Sequence, residues 1–207
     1  MVDNLLVVLF LDPKPLRASV QGMRHVDGWL AQHAAGRKPI VITLRHYGYG
    51  TARNSDLSAW MEFVSGLDRS LYAPVVVPDT EGALAAAPEF GGAPVFTAAA
   101  WSLGLRMALY ERAYLNLMVN TGPHLLCMFN ERCRYLMFKV LTPSVRQTSE
   151  AYMRFLGFEI GAQPPFASPV QRWVWEDDRP EVIAREFMAM CRTIETLDVG
   201  RSPYQHQ

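Results

Sequence analysis

Hydrophobic positions in this chain fall into two kinds of run. Short unbroken apolar stretches, Leu5–Leu11, Pro39–Leu44, Pro74–Val77, Leu115–Val119 and Tyr135–Val140, have the length and continuity of strands buried on both faces. Between them lie segments with apolar residues at helical spacing. One runs from about Leu16 to His33 and carries Val20, Met23, Val26, Trp29 and Leu30, with Gly36 as its stop. Another is capped by Ser55 or Asp56 and carries Leu57, Trp60, Met61, Val64 and Leu67. The pattern predicts further helices over Trp101–Ala113 and Ser144–Leu156, and one opening at Gly122-Pro123. The last runs from Asp178 to about Leu197, with Asp178 and Glu181 in capping-box spacing. Thr80–Pro94 is expected to hold a short helix, Val95–Thr97 a short strand, and Gly157–Gln171 no regular structure. Trp173 and Trp175, separated by Val174, suggest an extended segment with both indoles on one face.

Alternation of strand and helix implies an α/β, Rossmann-like fold, a mostly parallel sheet with helices on both faces. Residues 1–38 are expected to form a partial or accessory strand and helix, 39–198 the Rossmann-like domain, and 199–207 a frayed tail. Ligands of such sheets collect outside the carboxyl ends of the strands. Three polar clusters fall there: Arg45–Ser55, Asp79–Glu81 and Asn120–His124.

The last cluster is the most informative. Asn120-Thr121-Gly122-Pro123-His124 follows a buried strand and leads into a helix, leaving backbone N–H groups free to face an anion such as a diphosphate. The alternative is an ordinary turn that binds nothing. In the first cluster, Arg45 and Arg53 bracket a loop carrying Tyr47, Tyr49 and Asn54. Guanidinium groups match phosphate oxygens, and tyrosine rings offer faces for a base or sugar. The alternative there is a solvated loop in which Asn54 and Ser55 cap the next helix. Asp79 either accepts ribose hydroxyls or starts a turn after Pro78. His124 is a candidate phosphate contact or acid, while Glu111 and Arg112 read as solvent-facing.

Composition narrows this picture. Lys+Arg and Asp+Glu are 20 each, which gives no bulk attraction to nucleic acid or an anionic membrane. No apolar run is long enough to span a bilayer, and Leu5–Leu11 lacks the flanks of a signal peptide. Cys127, Cys133 and Cys191 form no metal-ligand spacing and fit reduced thiols in a cytoplasmic protein. P-loop, HExxH and complete dinucleotide fingerprints are missing from the sequence.

On the strand-Asn120-Thr121-Gly122-Pro123-helix segment, the chain resembles the nucleotide-sugar half of GT-B glycosyltransferases, above all heptosyltransferase-like and fucosyltransferase-like members. The Arg45…Arg53-Asn54-Ser55-helix-Trp60 segment and Pro74–Glu81 support the resemblance, which covers roughly Pro39–Leu197. It implies a nucleotide-diphospho-sugar donor held by Asn120, Thr121 and Gly122, with Arg45 and Arg53 as charge partners. It implies no metal, no cofactor, and a catalytic base supplied by a separate acceptor-binding domain. With only about forty residues ahead of the matching half, three expectations remain open. The chain is part of an enzyme, works with a partner protein, or binds a nucleotide without turnover.

Overall fold

The computed structural model describes residues 14–81 and 90–199. The expected strand Leu5–Leu11, most of the expected helix after Thr80 and the tail lie outside the described residues.

Among the described residues five strands make one sheet: β1 (Lys38–Thr43), β2 (Tyr72–Val77), β3 (Leu115–Val119), β4 (Tyr135–Phe138) and β5 (Gln171–Trp173). Their order is β2-β1-β3-β4-β5, and all four pairings are parallel. The unbroken apolar runs have their cause here, since residues of both parities are covered. Ile40, Ile42, Leu115, Leu117, Leu136 and Phe138 pack under helices α2 (Leu57–Gly66) and α7 (Pro180–Val199). Val41, Val75, Met118, Tyr135 and Met137 pack on the opposite face. That face carries α1 (Val20–His33), α3 (Ala98–Trp101), α4 (Leu103–Arg112), α5 (His124–Met128) and α6 (Glu150–Phe155).

Local chemistry explains where the elements differ from the sequence pattern. Helix α1 starts at Val20 rather than Leu16, because the Ser19 hydroxyl accepts the Gly22 amide. The expected helix over Trp101–Ala113 is two helices. Ser102 takes an extended conformation and caps the second through the Leu105 amide. Ser149 likewise caps α6, so the expected helix from Ser144 is reduced to a 3-10 turn, Arg146–Thr148, and one short α-helix. Strand β4 stops at Phe138 because Lys139 turns into the left-handed region at φ 53°. Val95 does pair with β2, as an isolated bridge to Val76.

Asp178 does not cap α7. Its carboxylate is buried and accepts the Asp56 amide and the Trp60 indole N–H, each at 2.8 Å. Helix α7 instead takes its first bond from Ile183 N–H to Arg179 O. Glu111 also departs from the solvent-facing expectation. Its Oε1 accepts the Ala18 amide at 2.6 Å and Asn130 Nδ2 at 2.7 Å, tying α4 to the segments before α1 and β4.

Candidate functional site

Chain direction fixes where a crevice opens. From β1 the chain passes through α2 to β2 on one face. It then returns through α3 and α4 on the other face to β3, on the far side of β1. The connections therefore diverge between β1 and β3, a topological switch point whose carboxyl end is the usual ligand crevice of an open α/β sheet. The loops after β1 and β3 flank it.

The loop after β1 folds around Arg45. This side chain is buried, and its Nη2 donates to Tyr49 O at 2.7 Å. Its Nη1 donates to Gly50 O at 3.2 Å and to Asn54 Oδ1. The Asn54 amide closes the loop further, accepting from Tyr47 N–H and donating to Tyr47 O. Gly50 sits at φ 62°, a conformation that favours glycine and lets its carbonyl turn toward the guanidinium. Arg45 and Asn54 thus shape the loop from within, while the rings of Tyr47 and Tyr49 stand at its surface.

Arg53 reaches across the crevice. Its Nη2 donates to Asn120 O at 3.0 Å, whereas its buried Nε has no partner among the described residues. Burial, and then the charge of Arg45, lower its pKa from the ordinary guanidinium value. Asn120 links β3 to the chain leaving β4, through its amide to Phe138 O at 3.1 Å and its side chain to Val140 O at 2.8 Å.

Beyond Asn120, the amides of Thr121 and Gly122 donate to no group among the described residues. Gly122 and Pro123 form a tight turn ahead of α5, closed by His124 N–H to Thr121 O at 3.1 Å and Leu125 N–H to Gly122 O at 3.2 Å. Helix α5 is only five residues long, so its dipole is small and the two individual amides are the stronger anion donors. A side chain at Gly122 would project into open space, with nothing within 4 Å of its Cβ.

His124 is buried beneath this turn. Its Nδ1 lies 2.6 Å from Thr121 O, so Nδ1 carries the proton it donates to that carbonyl. Burial, with the charge of Arg53 acting the same way, depresses its pKa to about 4. At neutral pH the imidazole is uncharged and braces the turn rather than supplying positive charge.

Asp79 and Glu81 tie the β2 loop to the β1 loop. Asp79 accepts the Thr80 amide at 2.7 Å and the His46 amide at 3.3 Å, while Glu81 accepts the Gly48 amide at 2.7 Å. All three polar clusters therefore meet at the carboxyl edge, joined by hydrogen bonds. Sequence patterns gave no sign of two other groups there. Lys139 Nζ donates to Asn54 O at 3.1 Å and lies 3.9 Å from Asp178 Oδ1, bracing the β1 loop from below. Arg106 is a buried cation on α4. Its only warning in the sequence is an arginine inside an otherwise apolar helical segment.

A groove of about 600 Å³ lies elsewhere, between α2 and α7, lined by Phe63, Leu67, Phe187 and Met188. It is mainly apolar and away from the carboxyl edge. Among the described residues no three His, Cys, Asp or Glu side chains are grouped to hold a metal. No helix there is long and apolar enough to cross a membrane.

The α/β, Rossmann-like fold, a parallel sheet with helices on both faces, has a counterpart among solved structures. The chain is similar to E. coli ADP-heptose lipopolysaccharide heptosyltransferase II, with a TM-score of 0.53 and 12% identity, over 87% of this chain and 54% of that one. It also matches a glycosyl transferase family 9 structure from Veillonella parvula DSM 2008, with a TM-score of 0.48 and 11% identity, over 60% of this chain and 36% of that one. The chain thus spans about half the length of the heptosyltransferase it matches. No protein-family model matches the sequence, and no curated protein is similar to it.

Proposed function

We propose that this chain binds a nucleotide-diphospho-sugar at the β1/β3 crevice and serves in transfer of the sugar. One observation carries the reading. At the topological switch point, Arg53 Nε and the backbone amides of Thr121 and Gly122 stand near one another, all without a partner among the described residues. Such donors are pre-oriented for the charge that develops on a departing diphosphate, and each contact of this kind is worth on the order of 2–4 kcal/mol in the transition state. Arg45, Asn54, Asp79, Asn120 and His124 hold the surrounding loops in place, Pro123 sets the turn, and Tyr47 offers a face for the base or sugar. Neither metal nor cofactor is part of the proposal. The acceptor and the catalytic base would come from a partner protein or another domain, and the protein would work in the cytoplasm.

Isothermal titration calorimetry with UDP, GDP and ADP tests this. Arg53→Ala and Gly122→Val are each expected to weaken the preferred nucleotide by at least about tenfold. The Gly122 variant should remain folded, because its side chain meets no neighbour. Unchanged affinity in both folded variants would defeat the assignment.

A second reading, binding without turnover, draws on the ionisable groups at the crevice. Asp79 and Glu81 accept loop amides and His124 holds Thr121 O, so anion donors are prominent and the candidate bases have structural duties. Nucleotide binding with no transfer or hydrolysis of any donor, even with candidate acceptors supplied, would favour it.

A further inference from the structure

Arg106 is 4% exposed, yet of its five N–H donors only Nε–H has a partner among the described residues, Ala99 O at 2.6 Å. No carboxylate among them pairs with it. Burying a cation costs several kcal/mol unless it is paired and hydrogen-bonded. A side chain left in this state is poor for stability, and methionine would fill the same space at lower cost. Its presence here calls for a partner of opposite charge.

Its anchors place Arg106 at the carboxyl edge of the sheet. Ala99 belongs to α3, and the segment leading into α3 is pinned to the end of β2 by Phe96 N–H to Val76 O at 2.9 Å. One helical turn after Arg106, the Tyr110 hydroxyl lies 2.8 Å from Thr43 Oγ1, at the last residue of β1. Burial pushes the Tyr110 phenol well up, and the Arg106 charge acts in the opposite direction, so the two side chains are electrostatic neighbours. The guanidinium therefore lies beside the ends of β1 and β2, on the face that carries α4 and α5. Arg45 and Arg53 stand at the same edge. The nearby carboxylates, Asp79 and Glu81, accept backbone amides of the loop.

We infer that Arg106 is a binding residue of the crevice, whose free guanidinium edge takes a phosphoryl oxyanion of the ligand. The inference rests on the reading of the crevice as a site for a diphosphate-bearing ligand, and it extends that site from the loops after β1 and β3 to the first turns of α4. A planar fork with neither terminal NH2 group paired among the described residues suits paired bonds to two phosphate oxygens. Among the described residues no carboxylate offsets this charge, and a bound oxyanion would, the usual exchange of stability for function.

Thermal-shift and calorimetric titrations with inorganic pyrophosphate, and separately with UDP, GDP and ADP, test it on the full chain. Arg106→Met should melt at the same temperature as the unmodified protein or higher, and should bind pyrophosphate at least about tenfold more weakly. Arg106→Lys, which keeps the charge but loses the fork, should bind with intermediate affinity. If Arg106 is only a packing residue, Arg106→Met melts lower and binds pyrophosphate as before, which overturns the inference. A protein whose melting is unmoved by pyrophosphate overturns it as well. The two proposals fail separately. Nucleotide binding that is lost in Arg53→Ala but kept in Arg106→Met removes this inference and leaves the functional reading. A pyrophosphate response that depends on Arg106, with no response to any nucleotide, removes the functional reading and leaves an oxyanion site.

Discussion

Single side chains decide how this crevice is charged. Arg45 looks like a ligand residue in the sequence, and three of its five N–H donors go to Tyr49, Gly50 and Asn54 of its own loop. Among the described residues, Arg53 keeps a buried Nε without a partner, and Arg106 keeps both terminal NH2 groups without one. His124 has a consequence that can be measured without any ligand. Its folded pKa, about 4, lies below the ordinary value of 6.5, so the unfolded chain takes up a proton first as pH falls. The stability tied to the neutral ring is complete above pH 6.5 and is lost progressively down to about pH 4. Each pH unit between those two values is worth about 1.4 kcal/mol, so the loss is on the order of 3 kcal/mol. Urea unfolding across that range should show the decline, and His124→Gln should flatten it. A decline of the same depth in the variant would mean that other groups cause it.

At the level of elements, caps and crossings set the geometry more than propensity does. Ser19, Asp56, Ser102 and Ser149 each begin a helix by accepting the amide three residues on. Asp56 at α2 was readable from the sequence because its partner, the Ala59 amide, is local. Asp178 was not, because its partners are 122 and 118 positions away. It completes the start of α2 from outside, satisfying the Asp56 amide and the fully buried Trp60 indole together. Asp178→Ala would leave both donors unpaired and Lys139 without its nearest carboxylate, at a cost of about 3 kcal/mol or more. Glu181→Ala, the other half of the capping box expected in α7, should change stability by less than about 0.5 kcal/mol, since Glu181 is a surface residue paired loosely with Arg179. Chemical denaturation of the two variants separates the alternatives, and equal effects would contradict this assignment of Asp178.

Over the whole molecule, equal numbers of acidic and basic residues hide a local imbalance. Arg45, Arg53 and Arg106 gather at the carboxyl edge, where the arriving ligand is expected to be an anion. Nucleoside diphosphate affinity should therefore fall several-fold as salt rises through the range in which the Debye length shrinks to about 10 Å, at roughly 0.1 M. Melting of the free protein should move little over the same range. Salt-independent affinity would contradict an electrostatic site. By itself the sequence determined the α/β alternation, four of the five described strands and the two loops at the crevice, because buried strands, helical spacing and Gly-Pro turns are written in neighbouring residues. Strand order, the switch point between β1 and β3, the short strand β5, the inward turn of Arg45 and the buried positions of Arg106, Glu111 and Asp178 were decided only in the tertiary structure. Each depends on which distant segment pairs with or covers a given residue, and a local pattern carries no record of that.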